Sequence, residues 1–419
     1  MRTRATIVVG LVAAFSILSA AEQAIAEALP VGPSAGDQDL SPFYRWTGKL
    51  PSRPGLMLRE EPLPANPQIA NAGQALRILY TSTDARWNSG VLPVSGTLHL
   101  PGGARPRGGW PLVAWAHGTL GVADKCAPSW AGHRPRDAAY INEWLKQGFA
   151  VVSTDYQGLG GPGPHPYTVW QAEGRSVLDG IRAATSAHRR EIANVVVITG
   201  QSQGSGAAIG ATRLQPTYAP DVGLKASIAT GVLSSFSAPD ASPPPAPAQG
   251  SAYYTMLSIA GAGLREGAPP RDELLTEKGR MLLNAALGGC DARAIEQREG
   301  VTAANAFRAP DQIRDYTLRT ADMSPVRMRV PVFLGTGLAD SLLVPRRQYA
   351  AARALCGAGS HIVWKTYPGA THNGGMHAAL KDEFAFVDAV LRGEPEPSNC
   401  SGIADPGEPA RPQPGLPYN

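Results

Sequence analysis

The feature that most constrains this chain is a short link. Gly200-Gln201-Ser202-Gln203-Gly204 joins a β-branched apolar run, Asn194 to Thr199, to a helix-forming stretch, Gly206 to Leu214. A chain that leaves a strand and enters a helix within so few residues must turn sharply. Glycines stand where side chains would strike the strand or the helix. This part of the chain is therefore committed to a βα unit, in which the helix returns over a sheet so that the next strand lies parallel.

The same alternation runs from Trp110 onward. Leu112 to Ala116, Phe149 to Thr154, Ala226 to Thr230, Val332 to Leu334 and Ile362 to Thr366 read as short buried strands. Arg136 to Lys146 reads as a helix, and Val177, Ile181 and Ala184 recur at helical spacing. Met376 to Leu391 closes the series, with Leu380, Phe384, Val387 and Leu391 on one face. The expected architecture is α/β, with a mostly parallel central sheet and helices on both faces. Upstream, Ala75 to Ser82 and Val91 to Leu100 flank a turn ending in Asn88-Ser89-Gly90, which predicts an antiparallel pair. Pro93 predicts an edge position or a bulge in the second strand.

One stretch breaks the pattern. About a hundred residues separate Thr230 from Val332, and a connection that long inside a compact domain has structure and a function of its own. It opens with the proline-rich Ser242 to Pro247 and continues with helix-like runs, Ser251 to Leu264 and Arg271 to Leu287. We read it as a helical lid. The chain then divides into a leader (1–26), an N-terminal arm rich in Pro and Gly (27–72), a core (73–231 and 326–392), the lid insertion (232–325) and a tail (393–419). The tail's Pro/Gly content predicts disorder, with Cys400 able to pin its first half.

The leader has the layout of a secretory signal: Arg2 and Arg4, an apolar run from Ile7 to Leu18, then Ala24-Ile25-Ala26 as a cleavage site before Glu27. The apolar run falls short of the roughly 18 residues of a spanning helix. Secretion into the periplasm or the medium is the expectation. The net charge is +4, with the basic residues scattered and no run interleaved with aromatics, so nucleic acid is not an expected partner. The four cysteines, Cys126, Cys290, Cys356 and Cys400, suggest two disulfides in an exported chain, with three connectivities open. No C-x-x-C or H-E-x-x-H spacing supports a zinc site, and no cofactor is expected.

The link around Ser202 fits G-x-S-x-G. Taken alone the match is weak, but its place between strand and helix is that of a nucleophile elbow. A serine hydroxyl needs an adjacent base, itself oriented by a third group. In such sheets the acid and the base follow the serine in chain order, on loops after late strands. Asp340 lies just past the strand Val332 to Leu334, and His372 just past the next strand. Asp322 and His361 precede their strands, and His377 falls inside the last helix. Backbone donors for an oxyanion are expected at Gln203 N–H and, in the loop His117-Gly118-Thr119, at Thr119 N–H. His117 itself reads as a loop-shaping residue.

Three segments extend the reading: Ile78-Leu79-Tyr80-Thr81-Ser82-Thr83-Asp84, Cys126-Ala127-Pro128-Ser129 and Asp155-Tyr156-Gln157-Gly158-Leu159-Gly160. Together with Gly200 to Gly204, Val344-Pro345 after Asp340 and the cysteine placement, they resemble the secretory lipase family typified by yeast lipase A. The resemblance runs roughly from Ile78 to Cys400 and implies an α/β-hydrolase fold with an α-helical lid inserted late in the sheet. It implies the triad Ser202, Asp340 and His372, no metal, and disulfides Cys126–Cys290 and Cys356–Cys400. The segment from Gly158 to Tyr167 follows bacterial relatives more than the yeast type.

The expected function is hydrolysis of small-molecule or lipid esters through an acyl-enzyme. An apolar lid suits a lipid interface, and no protein partner is implied. A secreted peptidase or amidase with the same triad is the alternative, and a non-catalytic binding module on the same scaffold is a third reading.

Overall fold

The structure is a computed structural model that describes residues 34–85, 90–233, 251–261, 271–310, 313, 322–394 and 398–419. The leader at 1–26 and the proline run at 242–247 lie outside the described residues. Nine strands form one sheet: β1 (Met57–Pro62), β2 (Ala72–Thr83), β3 (Val91–Pro101), β4 (Trp110–Ala116), β5 (Ala150–Thr154), β6 (Ile192–Gln201), β7 (Leu224–Thr230), β8 (Val332–Gly337) and β9 (Ile362–Tyr367). Their order across the sheet is β1-β2-β3-β5-β4-β6-β7-β8-β9. The first three pair antiparallel, β3 meets β5 antiparallel, and every pair from β5 to β9 is parallel. The sheet is thus mixed, with its parallel part where the βα alternation predicts it. β1 lies within the N-terminal arm and is an addition to the sequence reading, because Met57 to Pro62 shows no alternation to announce it.

Pro93 does not sit in an edge strand. β3 lies between β2 and β5, with Pro93 opposite Thr81. Its pairing with β5 covers only Gly96 to His99, so at Pro93 the strand has a neighbour on one side alone. A residue without an N–H is tolerated there for the same reason as at an edge.

Alternation along the strands splits the core between the two faces. Leu112, Ala114 and Ala116 join Val196 and Ile198 under α2 (Trp170–Ala187) and α3 (Gln203–Tyr218). Val113 and Trp115 join Val197 and Ile228 under α1 (Pro135–Lys146) and the last helix. Between β7 and β8 lie α4 (Ala252–Ala260), α5 (Glu277–Gly288) and α6 (Ala292–Arg298). The run expected from Arg271 to Leu287 is interrupted, because Leu275 bridges Phe307 and Thr276 caps a new helix by accepting from Gly279 N–H. These helices build an apolar cluster of their own, which also takes in Val122 and Tyr167 from the core. After β8 come α7 (Pro345–Gly357) and α8 (Gly374–Leu391).

Two disulfides form, Cys126–Cys290 and Cys356–Cys400, the pairing that the resemblance implies. The tail corrects the expectation of disorder. Beyond Cys400, Ala410 N–H donates to Leu338 O, and Gln413 N–H to Gly369 O at 2.9 Å. Composition argued against a core of its own, but a tail tethered at one end needs only main-chain partners on a surface already built.

Candidate active site

β6 ends at Gln201, β8 at Gly337 and β9 at Tyr367. Ser202, Asp340 and His372 follow these C-terminal ends, so parallel strands bring all three to one edge of the sheet. Ser202 has φ 59° and ψ −122°, a left-handed conformation that residues with a Cβ rarely adopt. The turn is closed on both sides: a Cβ on Gly200 would stand 2.0 Å from Gly204 O, and one on Gly204 1.9 Å from Ala116 O. Ser202 N–H donates to Thr230 O at 3.0 Å, tying the elbow to the end of β7.

Asp340 Oδ2 lies 2.8 Å from His372 Nδ1. The carboxyl is fully buried and accepts three further bonds. Leu342 N–H and Leu343 N–H reach Oδ1 at 2.9 and 2.8 Å, and Gln348 Nε2 reaches Oδ2 at 2.9 Å. Such a shell fixes the direction of the carboxyl. Because the carboxylate only accepts, His372 carries its proton on Nδ1, which leaves Nε2 as the basic nitrogen. That nitrogen is buried and makes no hydrogen bond to another described residue. The imidazole packs on Gly231, where a Cβ would meet Cε1 at 2.9 Å, one residue past the carbonyl that holds Ser202.

Gln203 is the first residue of α3, so its N–H has no carbonyl four residues back to meet. Thr119 lies in the loop after β4, its hydroxyl 2.7 Å from Tyr167 Oη. His117 is fully buried, and burial pushes it down to about 4. Its Nδ1 meets Gly118 O at 2.7 Å, a loop-shaping contact. His377 Nε2 lies 3.1 Å from Arg136 O, away from the Asp340–His372 pair.

Several residues around the site carry no signal in the sequence. Gln348 on α7 reaches Asp340 while its Oε1 accepts from Val232 N–H at 3.1 Å. Gln201 Nε2 donates to His372 O at 3.0 Å. Asn419 accepts from Thr371 N–H at 2.8 Å and donates to Gly369 O at 2.7 Å, clipping the loop that holds His372. All are polar side chains of common types, and only the fold says where they point.

Residues 135–242 match the family model of the secretory lipases. Lipase A of Moesziomyces aphidis is 27% identical over 195 residues, 44% of this chain and 40% of that protein. Lipase 4 of Candida albicans is 38% identical over 112 residues, 23% of each. The chain thus spans less than half the length of these curated relatives. Solved structures align more widely. Candida antarctica lipase A in its closed state has a TM-score of 0.60 at 19% identity, over 85% of this chain and 87% of that one. A Legionella pneumophila protein has a TM-score of 0.67 at 15% identity, over 81% and 100%. The rice cell wall degrading esterase of Xanthomonas oryzae has a TM-score of 0.62 at 18% identity, over 81% and 98%. At such identities these likenesses speak for the fold alone. The segment 135–242 is therefore similar to the secretory lipases, and the chain is built on the α/β-hydrolase fold.

Proposed function

We propose that the protein is a secreted carboxylic ester hydrolase that works through an acyl-Ser202 intermediate. The observation that carries the reading is the Asp340–His372 pair at 2.8 Å, its carboxyl buried, packed at Gly231 one residue past the carbonyl that holds Ser202 on a left-handed strand-to-helix turn. In the proposed reaction His372 Nε2 takes the proton of Ser202 Oγ as the oxygen attacks the ester carbonyl. Asp340 holds the Nδ1–H tautomer and stabilises the imidazolium. The N–H groups of Gln203 and Thr119 receive the oxyanion. Collapse expels the alcohol with the proton from His372, and a water activated by the same nitrogen releases the acid.

The names of the sequence relatives support ester substrates, and the esterase of Xanthomonas oryzae shares the scaffold. The apolar core of the insertion supports reading it as a structured lid. The disulfides and the signal-like leader support secretion. The test is hydrolysis of p-nitrophenyl esters from acetate to palmitate by the wild type and by Ser202→Ala. Turnover lost in the variant supports the reading, and the chain-length optimum separates esterase from lipase. Full activity in the variant overturns it.

A further inference from the structure

The residue after Ser202 sends its side chain inward. Gln203 is 1% exposed, and its Nε2 lies 2.7 Å from Glu173 Oε1 and 2.9 Å from His165 Nε2. An amide nitrogen only donates, so His165 Nε2 receives with its lone pair. The ring proton therefore sits on Nδ1, 2.8 Å from Gln157 O. Glu173 Oε1 also takes Thr168 N–H at 2.9 Å, and Thr168 holds φ 62°, unusual for a β-branched residue. One buried carboxyl thus pins both Gln203 and the segment from His165 to Thr168.

That segment reaches the opposite side of the site. Tyr167 meets the Thr119 hydroxyl and packs in the apolar cluster with Tyr253 and Met256 of α4. A Cβ on Gly261, just past α4, would stand 2.7 Å from Tyr167 N. The two residues whose N–H groups are expected to hold the oxyanion are therefore connected through side chains that converge on Glu173. Burial pushes Glu173 up to about 8, so near neutral pH it is an uncharged acid. An apolar residue would fill this place without the desolvation cost of a buried carboxyl. What Glu173 adds is an acceptor.

We propose that Glu173 is a positioning residue for the oxyanion hole, fixing Gln203 and, through residues 165–168, Thr119 at the spacing the tetrahedral intermediate requires. This rests on the ester-hydrolase reading. The test compares Glu173→Leu, Glu173→Gln and Gln203→Met, which keeps the backbone N–H but loses the side-chain amide. For each, kcat and KM on p-nitrophenyl butyrate are normalised to active sites titrated with a fluorophosphonate. The affinity of a trifluoromethyl ketone, which adds to the serine as a tetrahedral alkoxide, is measured alongside.

E173L and Q203M are expected to lose roughly ten- to a hundredfold in kcat, with KM nearly unchanged and the ketone weakened in parallel. E173Q keeps a neutral acceptor and is expected within about threefold of wild type at pH 7. Unchanged kcat in E173L and Q203M, a fall in kcat with ketone affinity intact, or E173Q as impaired as E173L overturns the inference. Should E173L not fold, Q203M decides alone. A wild type that neither turns over esters nor reacts with the fluorophosphonate at Ser202 sinks the underlying reading instead.

Discussion

The carboxyl of Asp340 is shared between His372 and Gln348: its Oδ2 meets His372 Nδ1 at 2.8 Å and Gln348 Nε2 at 2.9 Å. The first contact sets the tautomer of His372. Asp340→Asn retains the shape but can present an N–H toward Nδ1, turning the proton to Nε2, where it blocks Ser202. A fall in kcat of about 10⁴ is expected, the size seen when this change is made in a serine protease triad, measured by steady-state hydrolysis with KM little changed.

The second contact predicts a smaller effect. Gln348→Leu removes one donor to a buried carboxylate and leaves Val232 N–H without its side-chain partner. Hydrogen bonds to charged groups contribute about 1.5–3 kcal/mol, so kcat should fall roughly ten- to a hundredfold. An unchanged kcat would show that Gln348 acts only on packing.

Stability should depend on pH in a window set by buried carboxyls. Burial pushes Glu383, whose Oε2 accepts from Tyr140 Oη at 2.6 Å, up to about 8, and Glu173 likewise to about 8. From about pH 4.5 to 8 the native state retains protons that the unfolded chain has released, so these groups make stability fall as pH rises. Burial pushes His99, His117 and His377 down to about 4. Their effect has the opposite sign, raising stability from about pH 4 to 6.5, and ends there. Tm should therefore drop between pH 6.5 and 8.5. Glu383→Gln should match wild type at pH 5 and exceed it at pH 8.5, by an amount on the order of a few kcal/mol. Equal offsets at both pH values would contradict this.

The tail should act on the loop that carries His372. Removal of residues 410–419 deletes Asn419 and the Gln413 bond to Gly369. Amide exchange at 369–374 is expected to speed up, with kcat falling several-fold. Unaltered exchange would mean the loop stands without the tail.

The disulfide from Cys126 to Cys290 spans 164 residues and joins the insertion to the loop after β4. By loop-closure entropy, replacing both cysteines with serine should lower stability by roughly 3–5 kcal/mol, read by denaturant unfolding. A loss well below 1 kcal/mol would mean that the reduced chain already holds the insertion in place.

The sequence displays the parts of this molecule that depend on local pattern. The turn at Ser202 is visible because a strand, two glycines and a helix must lie in that order. Asp340 and His372 are visible because parallel strands deliver the residues after them to one edge. β1 is invisible because Met57 to Pro62 shows no alternation, and its place follows from pairing with β2. The packed tail is invisible for a related reason: its partners are carbonyls and amides of loops and Arg346 of α7, all distant in the chain. Gln348, Gln201 and Glu173 fall in the same class, since each acts through a contact with a residue distant in the chain or across a turn.

The role of Ser202 is tested most directly by covalent labelling. The protein is treated with a fluorophosphonate, its intact mass is recorded, and the adduct is mapped by peptide sequencing in wild type, Ser202→Ala and His372→Ala. A single adduct is expected on Ser202, absent from Ser202→Ala and formed orders of magnitude more slowly in His372→Ala. An adduct on another residue, or labelling as fast without His372 as with it, would contradict the account.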